Sequence, residues 1–452
     1  MQKKETWITN AVLYTQDSKR RAVRANVRIV DGVIAAISTR SPSRSSKIEV
    51  IDAEGLTILP GFVQAHVHLC QTLFRNLADD MELLDWLSKR IWPMEAAHTE
   101  ETLNVSALLG IHELLSSGTT CILDMGTVRH TESIFEAVRE SGIRANVGKC
   151  LMDHPEHTPE SLRESTRDAL TEASALYKRW HGTENGRIRA SYAPRFVISC
   201  TERLLTEVSR MAQEQDAIIH THASENLKEI QMVKRLVNCE NIEYLHQLGL
   251  TSSRLVLAHC VWLKPKEQAL LQRTGTHVVH CPSSNMKLAS GFADIPELRR
   301  RGINVALGAD GAPCNNNLNV FQEMRLAALI HKPGAGPRAM RAQEVLDMAT
   351  RNGALALGWL DDIGSIEVGK KADLTALNLN RVENLLPSAG KRIDAELIAS
   401  SVVYSAQPAH ISWTMVDGRT LYRAGKVTTI SEASLLKRAT TARSHIFRSL
   451  RA

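Results

Sequence analysis

Aromatic residues are scarce: 4% of the 452-residue chain is Phe, Trp or Tyr, too few for a platform on which nucleic-acid bases would stack. Runs of Lys and Arg are missing as well. The densest, Arg299–Arg301, follows Glu297 and reads as a solvated helix end. The formal charge of +6 is small for a chain of this length, so no nucleic-acid partner is expected. None of the eight cysteines forms a CxxC pair, which argues against a disulfide framework and for reduced, buried thiols. The opening residues Met1–Trp7 hold no apolar run of signal-peptide type. The longest uncharged stretch, Leu56–Phe74, is broken by Pro60, Gly61, His66 and His68 and is too polar to span a bilayer. A cytoplasmic protein with no membrane partner is the expectation. GxGxxG and GxxxxGK[ST] are both absent, as is any repeat of solenoid period.

What is present is globular composition, 43% hydrophobic and 23% charged with 25 Gly and 14 Pro. The ends read as β structure. Asp31-Gly32 lies between the alternating runs Ala25–Val30 and Val33–Ser38, and Asp417-Gly418 lies between His410–Val416 and Arg419–Tyr422; both are hairpin signals. The middle alternates short β-branched runs with longer helical patterns. Strands are predicted near Leu59–His66, Thr119–Met125, Ala145–Leu151, Ile188–Pro194, Ala217–His222, Leu255–Cys260, His277–Cys281 and Asn304–Ala309. Helices are predicted at Glu101–Ser116, Ser133–Ser141, Pro159–Trp180, Arg203–Gln215, Leu227–Leu248, Pro265–Thr274, Pro296–Arg301 and Val320–Leu329. Eight strand–helix units make a TIM-type (β/α)8 barrel, an α/β fold. The expected division is residues 60–363 as barrel, with 1–59 and 364–452 joining into a small β-sandwich domain that carries a terminal helix. Leu69–Thr99 is expected to be an inserted loop over one mouth.

The chemistry sits at the strand ends. His66 and His68, two apart on the first strand, point to one side. A lone His-x-His is common outside metal sites, so the pair needs support from elsewhere. The fifth strand ends His220-Thr-His222-Ala-Ser-Glu225, the sixth in His259 and the eighth in Asp310. His220 reads equally well as a core histidine, and an Asp after a strand is often a helix cap. In a closed barrel, however, all these strand ends share one face. Three imidazoles and a carboxylate with an open position form a catalytic rather than a structural metal arrangement.

The chain resembles the amidohydrolase superfamily, in the branch of methylthioadenosine/S-adenosylhomocysteine deaminases with their guanine-deaminase and triazine-hydrolase relatives. Its matching segments include Leu59-Pro-Gly-Phe-Val-Gln-Ala-His-Val-His, Ile91-Trp-Pro-Met-Glu95, His220-Thr-His-Ala-Ser-Glu, Ala258-His-Cys-Val, Cys281-Pro-Ser-Ser-Asn-Met-Lys-Leu and Leu307-Gly-Ala-Asp-Gly-Ala-Pro-Cys-Asn-Asn-Asn. The resemblance implies that His66, His68, His222 and Asp310 bind one divalent metal, usually zinc and sometimes iron. It implies further that His259 orients the attacking water and that Glu225 shuttles protons, as a separate Glu does in zinc nucleobase deaminases. The two-metal version uses a carboxylated lysine on the fourth strand, and Ile188–Pro194 has none.

By the same resemblance Glu95 aligns with a ribose-binding carboxylate, and Trp86 and Trp92 could line an apolar wall. Two positions depart from the adenosine-type pattern. Arg195, in Pro-Arg-Phe, is guanine-deaminase-like, and Lys149 stands where an Arg would be expected to meet the 5′ substituent. The implied activity is hydrolytic deamination of an adenosine-type nucleoside, a small-molecule substrate, by a homodimer or homotetramer. The alternatives are guanine or pterin deamination, s-triazine hydrolysis, or a catalytically silent barrel kept as a binding module.

Overall fold

The computed structural model describes residues 4–42, 48–384 and 394–450. The two ends of the chain form one nine-stranded mixed sheet. Its N-terminal strands are Glu5–Tyr14, Ala22–Val30, Val33–Ser38, Ile48–Asp52 and Thr57–Pro60, and its C-terminal strands are Leu374–Leu377, Ile411–Val416, Arg419–Arg423 and Lys426–Val427. Both hairpins form at the expected dipeptides. Asp31 and Gly32 have φ of 50° and 80°, and Asp417 and Gly418 have 48° and 71°, the left-handed pair that a two-residue turn with right-twisting strands requires. The seam between the ends is Thr57–Pro60 paired antiparallel with Leu374–Leu377. Ile8, Leu13, Val27, Ile29, Ile58, Leu374 and Trp413 form the sheet's own core.

Thr57–Pro60 runs through Gly61 into the first barrel strand. The barrel strands, all parallel, are Phe62–His68, Thr119–Thr127, Arg144–Leu151, Ile188–Pro194, Ile219–Ala223, Leu255–His259, His277–His280 and an eighth split into Val305–Leu307 and Asp310–Gly311. Asp310 pairs with Val67 and closes the ring. Val63, Ala65, Cys121, Leu123, Val256, Val279 and Ala306 fill the interior. A buried ion network joins the two sheets: Arg144, at the start of the third strand, donates to Asp373 at 2.7 and 3.0 Å and to Asp417 at 2.8 Å.

Three expectations are revised. The stretch after the first strand is helical rather than a loop, with short turns at Leu69–Phe74, Leu83–Trp86, Leu87–Ile91 and Trp92–Ala96. Leu227–Leu248 is two helices, because Asn238 turns left-handed (φ 54°) and ends the first at Val237. Pro159–Trp180 begins as a turn, and its helix starts at Thr166, where the Ser165 hydroxyl caps Asp168 N–H. The C-terminal helix, Glu432–Ser449, packs Leu435, Ala442 and Ile446 inward; Arg451 lies outside the described residues. No described helix is long and apolar enough to cross a membrane.

Candidate metal centre

The first strand carries an irregularity that builds the site. Val63 and Ala65 face the barrel interior, so strict alternation would turn His66 outward. The pairing with the second strand shifts between Gln64 and Val67, a bulge that resets the phase. Val67 then joins the outer core while His66 and His68 face in. The eighth strand approaches closely here. A Cβ at Gly308 would lie 2.7 Å from the His66 carbonyl oxygen, so only glycine fits. Gln64 fastens the seam, accepting the Ala309 N–H at 3.1 Å and donating to the Leu318 carbonyl at 2.9 Å.

Four strand ends converge. His66 Nε2 and His68 Nε2 lie 3.2 and 3.3 Å from Asp310 Oδ1, and His68 Nε2 lies 3.2 Å from His222 Nε2. Donor atoms of His66, His222, His259 and Asp310 all fall within 4.8 Å of one another. Ser224, His259, Cys260 and Asp310 hold positive φ of 53°, 72°, 48° and 61°. Non-glycine residues rarely adopt this conformation, and it clusters at functional sites.

The hydrogen bonds define the ring tautomers. His220 donates Nδ1–H to the Val256 carbonyl at 3.0 Å, leaving its Nε2 to accept His66 Nδ1–H at 2.8 Å. His66 Nε2 is therefore a bare lone pair, and it has no hydrogen-bond partner. His222 donates Nδ1–H to the Arg195 carbonyl at 2.7 Å, which bares its Nε2 in the same way. Burial holds His66, His68, His220 and His222 below the ordinary imidazole range, in the neutral form that ligates metal. The bare Nε2 of His66 faces the carboxylate oxygen of Asp310 at 3.2 Å, a contact that repels unless a cation lies between them. Tetrahedral zinc, with bonds of about 2.0–2.1 Å, spaces neighbouring ligand atoms about 3.3 Å apart. The three closest donor separations match that spacing, so His66, His68, His222 and Asp310 fit one divalent metal.

Glu225 stands beside this cluster. Its Oε1 accepts from the Ser290 hydroxyl at 3.1 Å, and its Oε2 lies 3.5 Å from His259 Nε2. Burial pushes its carboxyl up to about 7, although His259 pulls the other way. His259 donates Nδ1–H to Asn285 Oδ1 at 2.9 Å. Burial opposes its charge, but Glu225 and Asp310 together hold it above the ordinary value.

The pocket over the cluster is walled by Leu83, Trp86 and Leu87 from the helical insertion and by Phe196 and Leu288; Gln71, Arg195 and Glu229 also line it. The other expected substrate groups lie elsewhere. Glu95 forms a buried bidentate pair with Arg195 (2.7 and 3.2 Å) and also accepts from Gln71 at 2.8 Å. Lys149 does not line the pocket; its buried ammonium pairs with Glu164 (2.6 Å) and with the partly exposed Glu172 (3.3 Å). Trp92 packs against Val128, Cys150, Met152 and Leu162. The sequence motifs do not single out Gln71, Ser290 or Glu229, and they carry Phe196 and Leu288 only as members of the Pro-Arg-Phe and Cys281–Leu288 motifs. Glu229 accepts the backbone N–H groups of Ser224, Glu225 and Asn226 at 3.2, 2.7 and 3.2 Å and so fixes the turn that bears Glu225. Its position four residues after Glu225, at the third residue of a helix, was a readable signal.

A closed barrel with imidazoles and one aspartate gathered at the carboxyl ends of its strands is the architecture of a metal-dependent hydrolase. The chain belongs to the Amidohydrolase family, whose pattern matches residues 57–421. It is 39% identical over 420 residues to a 5′-deoxyadenosine deaminase of Methanobrevibacter smithii, covering 93% of each chain. It is 37% identical over 408 residues to a 5-methylthioadenosine/S-adenosylhomocysteine deaminase of Desulforudis audaxviator, covering 90% of this chain and 91% of the relative. An adenosine deaminase from Xanthomonas campestris with bound zinc superimposes with a TM-score of 0.89 at 29% identity over 98% of both chains.

Proposed function

We propose that this protein hydrolyses the 6-amino group of an adenosine-type nucleoside such as 5′-deoxyadenosine, 5′-methylthioadenosine, S-adenosylhomocysteine or adenosine, giving the 6-oxo product and ammonia. One observation carries the reading: a carboxyl group pushed up to about 7 (Glu225) lies 3.5 Å from His259, beside a buried cluster of three imidazoles and Asp310. The amino-nucleoside deaminases of M. smithii and D. audaxviator, similar over nearly the full chain, support the substrate class.

His66, His68, His222 and Asp310 would hold one divalent metal, zinc by its donor set. Such a metal supplies Lewis acidity that makes hydroxide available near neutral pH. Asp310 and His259 hold the proton released by the attacking water and aim its oxygen at C6. Glu225, poised near neutrality, delivers a proton to the adjacent ring nitrogen and then to the departing amino group. The balance is nucleoside plus water to 6-oxo nucleoside plus ammonia. Leu83, Trp86, Leu87, Phe196 and Leu288 exclude bulk water and offer an apolar wall to a deoxy or thioether end.

A second reading has its own support. Arg195 and Phe196 border the pocket, whereas Glu95, the candidate ribose ligand, is already engaged by Arg195 and Gln71. That arrangement suits a free base bearing a carbonyl, such as guanine or a pterin, which the guanidinium would face. An ammonia-release screen across the four nucleosides, guanine, pterins and aminotriazines separates the readings. The first expects a nucleoside to give the highest kcat/KM; a preference for guanine or a pterin would replace it with the second.

A further inference from the structure

Glu323 is a buried acid that the proposed chemistry does not use. It lies on the helix Val320–Leu329 and is 1% exposed. That helix does not need it as a cap, because Asn319 Oδ1 already accepts the Phe321 N–H at 2.9 Å. The hydrogen-bond partners of Glu323 are all neutral. Oε2 accepts the Ser283 N–H at 3.2 Å, while Oε1 accepts from the Ser283 hydroxyl and from Asn315 Nδ2 at 3.0 Å. A carboxyl without a cationic partner is costly to bury, and an apolar side chain would fill the space at less cost. Packing alone therefore does not account for it.

Each of its partners leads to the metal centre. Ser283 is the second residue of the short helix Pro282–Lys287, and two residues on Asn285 accepts His259 Nδ1–H at 2.9 Å. Asn315 Nδ2 donates also to the Ala309 carbonyl at 2.7 Å. The next residue, Asp310, has φ of 61°, a conformation that its surroundings must hold. One carboxyl group thus ties together the supports of two groups that arrive on different strands.

We infer that Glu323 is a positioning residue that sets the alignment of His259 with Asp310, through Ser283 and Asn285 on one side and Asn315 and Ala309 on the other. The inference rests on the reading that His259 and Asp310 belong to one metal centre. Groups that orient ligands from behind typically carry 10–100-fold effects on metal affinity or activity, and the two arms separate those effects.

The test uses the full-length protein and the variants Glu323→Gln, Ser283→Ala and Asn315→Ala. The zinc dissociation constant is measured by competition with a chromogenic chelator, and kcat and KM by ammonia release from whichever substrate the wild type turns over. Asn315→Ala should weaken zinc binding about 10–100-fold. Ser283→Ala should lower kcat by about 10-fold or more with KM and zinc affinity unchanged, and Glu323→Gln should show both effects. If Glu323→Gln fails to fold, the other two variants carry the test. Zinc affinity and kcat within twofold of wild type in both Asn315→Ala and Ser283→Ala would overturn the inference. A wild-type protein that binds no zinc would overturn the metal-centre reading itself, and this inference with it.

Discussion

At the scale of single residues, the division of labour depends on whether a group faces the cluster with a lone pair or a proton. His66 and His222 each give Nδ1–H to a fixed acceptor and keep Nε2 bare. The Glu225 carboxylate makes no contact with His66, His68 or His222 among the described hydrogen bonds and ion pairs, and its partners are Ser290 and His259. Glu225→Gln should therefore leave zinc content unchanged while kcat falls about 10²–10⁴-fold, the usual range for a lost acid–base group. Assaying both quantities on one preparation decides it; retained turnover would remove Glu225 from the mechanism. Much of this site was readable. His66 and His68 at spacing two, His222 with Glu225 three residues on, and Asp310 after an apolar strand are local patterns. The role of His220 was not readable, because its link to His66 crosses 154 positions of sequence and depends on which nitrogen of each ring holds the proton.

At the scale of elements, the helical insertion and the fourth strand are joined by the Glu95–Arg195 pair, whose side chains are 4% and 5% exposed. Breaking a buried ion pair from one side leaves a charge without its partner and costs about 3–5 kcal/mol. Glu95→Ala should destabilise the protein by that order in urea unfolding, and Glu95→Leu combined with Arg195→Met should recover most of the loss. Equal destabilisation by the single and double variants would mean that the pair does not couple the two elements. The sequence placed both residues near the substrate but could not show that they bind each other, since 100 positions separate them. Lys149 illustrates the same limit. It stands on the third strand as expected, yet its direction is set by Glu164 and Glu172 on segments that come later in the chain.

At the scale of the whole molecule, several buried acids lack a cation and bind their proton more tightly than in the unfolded chain. Burial pushes Asp124 up to about 7 against the N–H bonds from Leu69 and Gly126, and Glu323 also reaches about 7, chiefly through burial. Unfolded Asp and Glu titrate near about 4. Between about pH 4 and 7 the folded state therefore holds protons that the unfolded chain has released, and stability declines as pH rises through that window, by at most about 1.4 kcal/mol per pH unit for each group. Thermal melts from pH 5 to 8 should show a shallower decline for Asp124→Asn than for wild type; equal slopes would refute the shift. The barrel and the terminal sheet followed from strand–helix alternation and from Asp-Gly turns, both local signals. The Arg144–Asp373–Asp417 network that binds them did not, because it joins positions 229 and 273 residues apart.

The most direct test is the metal content of the purified protein. Elemental analysis should find about one equivalent of divalent metal per wild-type chain and far less in His68→Ala and Asp310→Ala, both still folded. Full metal content in those variants, or none in the wild type, would contradict the proposed ligand set.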